Sequence, residues 1–257
     1  MFKLANLDWG VRLKASGLHL LISLGVAAMA ATLVFAIWYP YPYRVISGGQ
    51  ELFLILVTVD VLLGPLITLS VFNLKKPPAT LKRDLVVVGL LQVCALAYGL
   101  WTMSLARPVH LVFEIDRFRV VHAVDVPLEE LSQADPRILA MPLMGPNLLA
   151  LRPFKTENEK MEATMAALQG IYLGARPGLW MPYEDAISSV LQVAQPVREL
   201  IARFPNQQAQ IDVAVAKTGR QADALMYVPM VGRDTFWTVL IDPITAHVLA
   251  FVPLDPF

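Results

Sequence analysis

The sequence has a single cysteine, Cys94, and little charge: 16% of its 257 residues are charged, 21 basic and 21 acidic. A lone thiol excludes a disulfide-stapled fold and a multi-cysteine zinc site. The balanced charge excludes a chain that coats nucleic acid, and 56% hydrophobic content excludes a disordered one. The phosphate-cradling Gly-x-x-x-x-Gly-Lys, the nucleophile elbow Gly-x-Ser-x-Gly and the spacing His-x-x-x-His are also absent. Soluble domains average about 45–50% apolar and about 25% charged residues. A mean hydropathy of +0.55 therefore points to a chain that lies partly in lipid.

The apolar residues are concentrated in three nearly charge-free runs, 20–39, 52–71 and 85–105. A helix rises about 1.5 Å per residue and the hydrocarbon core is about 30 Å thick, so each run is long enough to span it. Residues 1–19 then form a cytoplasmic N-terminus, 20–105 a three-helix transmembrane bundle, and 106–257 a separate domain. Basic residues near the spans set the orientation. Lys3, Arg12 and Lys14 precede the first run, Arg44 alone lies in the first loop, Lys75, Lys76, Lys82 and Arg83 fill the second, and Arg107 follows the third. This pattern puts the N-terminus and second loop in the cytoplasm, and the first loop and C-terminal domain outside it. The first run outlasts the short apolar core of a cleaved signal, so it reads as an uncleaved anchor. Residues 1–105 hold 8 basic and 4 acidic residues and 106–257 hold 13 and 17, so the zero net charge hides a polarity along the chain.

Asp60 lies in the middle of the second run, shortly before Gly64 and Pro65. A central aspartate costs about 2.5–3.5 kcal/mol on insertion scales and faces other helices or water. Pro65 lacks a backbone donor and, in an α-helix, frees the carbonyl of Val61. Asp60 is then either a contact for a partner helix or a proton-linked site, or a protonated acid bonded within the bundle to Gln92, Ser23 or Thr58. A membrane aspartyl protease would need a second carboxylate in the spans, and none is there. His19 reads as a solvated interfacial residue, and Gly25, Ala28 and Thr32 as a small-residue stripe. Trp38, Tyr39, Tyr41 and Tyr43 read as an interfacial aromatic belt, with Pro40 and Pro42 stopping the helix; the other reading gives this Tyr-Pro repeat a binding role.

Residues 106–257 read as an α+β domain with antiparallel strands. A hairpin over 109–114 and 118–123, a strand over 148–152 and a three-stranded meander over 225–231, 236–241 and 248–252 are predicted. Thr156 and Glu159 form a capping box for a helix over 156–169. A helical region over 183–204 breaks at Pro196, and Asn206 caps a third helix that Gly219 ends. The pairs Glu129–Glu130 and Glu184–Asp185 fit first helical turns. His110, His122 and His247 are scattered, so neither a metal site nor a cofactor is expected, and no catalytic residues emerge.

Several motifs together resemble one family. They are Arg12-Leu13-Lys14-Ala15-Ser16-Gly17-Leu18-His19, Trp38-Tyr39-Pro40, Ser47-Gly48-Gly49 with Glu51-Leu52-Phe53, and Val59-Asp60-Val61-Leu62-Leu63-Gly64-Pro65. Phe72-Asn73, Lys82-Arg83-Asp84-Leu85, Ala97-Tyr98-Gly99-Leu100-Trp101, Val112-Phe113-Glu114-Ile115-Asp116-Arg117-Phe118 and Leu168-Gln169-Gly170 continue it. The chain resembles the type IV pilin accessory proteins of the TfpX/TfpZ type along nearly its whole length. The resemblance implies an inner-membrane, non-enzymatic protein of a Gram-negative bacterium that assists a cognate type IV pilin in pilus assembly or retraction. The partners expected are that pilin and the lipid bilayer, with no nucleic acid; self-association stays open. Asp60, Gly64, Pro65, Tyr41 and Tyr43 are the candidate partner-binding residues. The alternatives are a membrane-anchored periplasmic sensor or PepSY-like regulatory module, suggested by the Asp-Pro-x-Thr turn at 242–245, and a pilin-modifying transferase.

Overall fold

A computed structural model describes residues 8–257. Lys3 lies outside the described residues, as does most of the N-terminal segment ahead of Arg12. The chain divides into two compact units. One holds the chain up to Ile37 together with Gly48–Ser104; the other holds Trp38–Ser47 together with Leu105–Phe257.

Three helices are long and apolar enough to cross a membrane, Trp9–Trp38, Gly49–Val71 and Pro78–Ala106, and all but the last residues of the first and third lie in the first unit. The first and third begin well before the apolar runs, because Arg12, Lys14, Lys82 and Arg83 are good helix formers that continue the helix past the lipid core. Two stretches are π-helical, Leu33–Trp38 and Val59–Leu63. Over its most apolar stretch only 6% of the third span is buried, against 17% and 22% for the first and second, so its sides are largely unfilled.

The second unit is built on one eight-stranded sheet. Its strands are β1 (Pro108–Phe113), β2 (Phe118–His122), β3 (Asn147–Leu151), β4 (Trp180–Pro182), β5 (Gln195–Pro196), β6 (Met226–Val231), β7 (Phe236–Ile241) and β8 (Val248–Val252). They run in the order β4-β3-β1-β2-β6-β7-β8, and β5 pairs with β6. The β1–β2 hairpin and the β6–β7–β8 meander are antiparallel as predicted. The sheet as a whole is mixed, however, which corrects the expectation of antiparallel strands: β1 runs parallel to β3, and β2 parallel to β6. Parallel neighbours need long connections, and residues 114–146 separate β1 from β3 while residues 123–225 separate β2 from β6. All of β1 is buried, because both faces of the sheet are covered.

Leu111, Phe113, Phe118, Val120, Val228 and Met230 form one core with Tyr183 and with Val190 of the helix Ile187–Val193. Val109, Val112, Val121 and Trp180 form a second. The helices Val197–Arg203 and Gln208–Lys217 close a third over Tyr227, Leu240 and Val252. Thr156 caps Glu157–Leu168 by accepting from the Glu159 backbone N–H at 3.1 Å, as its capping box requires. Asn206, by contrast, is not a cap: it lies inside a 3-10 turn, Pro205–Gln207, that leads into the next helix.

Candidate functional site

In the membrane-spanning unit the candidate residues Asp60, Gly64 and Pro65 lie together on the second span, at its π-helical stretch. A π turn joins each N–H to the carbonyl five residues back. The donor missing at Pro65 therefore frees the carbonyl of Asp60, one residue earlier than α-helical spacing assigns. The Gln92 side-chain amide of the third span donates to that carbonyl at 3.1 Å. Gln92 thus bonds the backbone of Asp60, not its carboxyl. Gly64 makes room for this contact, since a Cβ there would lie 2.0 Å from Gln92 Nε2. Asp60 is 8% exposed and its Oδ1 has no hydrogen-bond partner.

With its NH2 group turned to Asp60, Gln92 presents Oε1 to His19 Nε2 at 2.6 Å. That assigns the ring proton to Nε2 and leaves Nδ1 to accept from the Thr68 hydroxyl at 2.5 Å. One hydrogen-bonded chain so links all three spans: Thr68 to His19 to Gln92 to the Asp60 carbonyl. His19 is a bridge, not the solvated residue expected from its position. Arg12, Ser16, His19 and Ser23 form a polar stripe at helical spacing along the first span. Ser16 donates to the Pro65 carbonyl at 2.9 Å and Arg12 to the Leu69 and Ser70 carbonyls. That spacing is the signal in the sequence that could have revealed a packed polar face.

The other two candidates, Tyr41 and Tyr43, belong to the sheet unit. The loop Trp38–Ser47 folds into that unit, where Tyr39 is fully buried and Tyr43 and Ile46 are 7% and 3% exposed. Tyr43 meets Phe251 edge-on. The aromatic-belt reading thus gives way to core packing for Tyr39 and Tyr43. Tyr41 stays half-exposed beside Trp237, with Arg44 and Lys217 over its ring at 5.7 and 5.4 Å. It opens onto a groove lined by Val213, Lys217, Phe251 and Pro253.

Sequence reasoning also missed a polar hub at Asp125. Its Oδ2 accepts from the His122 backbone at 3.0 Å, from His122 Nδ1 at 3.1 Å and from the Tyr172 hydroxyl. Burial raises the Asp125 carboxyl, but these hydrogen bonds outweigh it and bring the pKa down to about 2. Arg119 covers the Tyr172 ring at 4.7 Å and pairs with Glu114 at 3.0 Å. His110 lies against Trp180, its Nε2 on the Ala140 carbonyl at 2.8 Å, and burial lowers its pKa to about 4. Among the described residues no three histidine, cysteine or acidic side chains gather as a metal site would require.

Three helices long and apolar enough to cross a membrane, linked by a part-buried polar chain, and a mixed-sheet unit that takes in the loop Trp38–Ser47 mark the class as a membrane-associated protein. The family described as "Fimbrial assembly protein FimB" matches residues 7–48. The fimbrial assembly proteins of Dichelobacter nodosus serogroups I and E1 are 35% and 34% identical over 249 residues, covering 95% of this chain and 95% of each relative. That of serogroups C1 and C2 is 44% identical over 124 residues, 47% of this chain and 92% of its own length. The chain belongs to this fimbrial assembly protein family, in agreement with its resemblance to the type IV pilin accessory proteins. No solved structure matches it.

Proposed function

We propose that this protein works in fimbrial biogenesis as an inner-membrane helper of a cognate type IV pilin. The observation that carries the reading is similarity to fimbrial assembly proteins along essentially the full length of both chains. The basic residues of the second loop support a topology with that loop in the cytoplasm and the sheet domain in the periplasm. A pilin awaiting assembly has one apolar helix in the membrane and a globular head outside. A helper built of a helix bundle and an extramembrane domain is able to hold both, and two weak linked contacts give selectivity without trapping the subunit. Asp60, Gly64 and Pro65 shape the membrane contact, and Tyr41 offers exposed aromatic surface for the head. Tyr43 supports the loop from the core. The protein acts by contact, not by chemistry on the pilin.

Deleting the gene and restoring it in cells that make the pilin tests this. Loss of surface pili, restored by the wild-type copy with the intact mass of the pilin unchanged, is the expected result. Normal piliation without the protein, or a pilin mass that depends on it, overturns the proposal.

A further inference from the structure

A groove between the second and third spans reaches Asp60, whose buried Oδ1 has no hydrogen-bond partner. It is walled by Leu52, Ile55, Leu56 and Val59 on one side and by Ala95, Tyr98, Gly99 and Thr102 on the other, and encloses about 310 Å³. Each wall follows the spacing i, i+3, i+4, i+7, so the groove runs parallel to both helices for about two turns. Such paired faces accept the side-chain ridge of another helix. Ile55, Val59 and Tyr98 are 65%, 41% and 68% exposed. A second cleft, between the first and third spans, also reaches Asp60, but its His19 and Gln92 are already bonded to Thr68, to each other and to the Asp60 backbone. The Thr102 hydroxyl in the groove is bonded to the Tyr98 carbonyl. Asp60 Oδ1 is the acceptor left without a donor.

We infer that this groove receives a single membrane-spanning helix of a partner that carries a hydrogen-bond donor near its midpoint, and that the donor binds the Asp60 carboxyl. Acyl chains fill apolar space but bring no donor, so lipid leaves the carboxyl unmet. A helix bearing a hydroxyl, amide or cationic group meets both requirements, apolar fit along the walls and a donor at their end. The inference rests on the reading of this protein as a helper of a membrane-anchored pilus subunit, and it specifies where and by what chemistry that subunit's helix is held.

Site-specific photo-crosslinking in pilin-producing cells, using the full-length protein, tests it. The reactive residue is placed at Val59 or Tyr98 in the groove, or at Leu21, an exposed position of the first span. Adducts with a single-span subunit are expected from the groove positions and not from Leu21. Asp60→Leu lowers their yield about tenfold, while Asp60→Asn, which keeps an acceptor, retains them. Ile55→Trp blocks the groove from an exposed position without touching Asp60, and is expected to give the same loss. Groove adducts insensitive to both Asp60→Leu and Ile55→Trp, adducts with lipid alone, or adducts with a second copy of this chain overturn the inference. Pilin captured only from the sheet domain also overturns it, yet leaves the helper reading standing. A groove adduct with a membrane protein other than pilin removes the helper reading and keeps the groove.

Discussion

Gln92 of the third span donates its side-chain amide to the backbone carbonyl of Asp60 in the second, at 3.1 Å, in place of the N–H that Pro65 lacks. This bond and the contact of Gln92 Oε1 with His19 make one side chain the junction of three helices. Polar contacts of this kind contribute about 0.6–2 kcal/mol each between membrane helices.

Gln92→Leu is therefore expected to destabilise the spanning unit by about 1–3 kcal/mol, since it strands the Asp60 carbonyl and the His19 ring. Gly64→Ala is expected to do similar damage, because its Cβ would collide with Gln92 Nε2. The two act on one contact, so the double variant falls well short of the sum. Thermal unfolding of the purified full-length protein in detergent reads all three; additive effects would separate Gly64 from Gln92.

How much of this was legible beforehand differs by element. The three spans, the Thr156 cap and the β6–β7–β8 meander followed from periodicity and turn chemistry, which are local. The parallel pairings of β1 with β3 and β2 with β6 did not, because strand patterning records burial but not the neighbour. Aromatic composition predicted an interface for the Trp38–Ser47 loop, yet Tyr39 and Tyr43 are as apolar to a protein core as to a headgroup layer. At Asp60 the acid and the proline were evident. Which carbonyl the proline frees depends on the π turn, and that is seen only when the helix and its Gln92 partner are in view.

Burial against Trp180 brings the His110 pKa down to about 4, below its ordinary value near 6.5. The unfolded chain then binds more protons than the folded one between these values. Stability of the sheet unit is full above about pH 6.5 and falls as the pH drops toward 4, by about 3 kcal/mol at the lower limit. Denaturation of the full-length protein followed by tryptophan fluorescence at pH 4.5 and 7 is expected to reveal this loss, and His110→Gln to flatten it.

Asp125 has the opposite logic. Its hydrogen bonds to His122 and Tyr172 bring its folded pKa down to about 2, below the unfolded value near 3.9, so its contribution is present above about pH 4 and lost as the pH falls toward 2. Asp125→Asn is expected to weaken the fold at pH 7 and to reduce the acid dependence below pH 4. Unchanged acid unfolding in this variant would separate the carboxyl from the transition.

Tyr43→Ala removes a buried ring and is expected to cost about 3–5 kcal/mol, whereas Tyr41→Ala, at a half-exposed ring, costs well under half as much. If Tyr41 faces the pilin head, Tyr41→Ala lowers the recovery of pilin with the protein while its unfolding midpoint stays near wild type. A variant that loses stability and pilin together would make Tyr41 a packing residue.

The most direct test of a helper that holds the pilin at two places is crosslinking within living cells from Leu63, beside the membrane site, and from Tyr41 in the sheet domain. A helper of this kind yields adducts with the cognate pilin from both positions, one through its membrane helix and one through its head. No pilin adduct from either position would contradict the account.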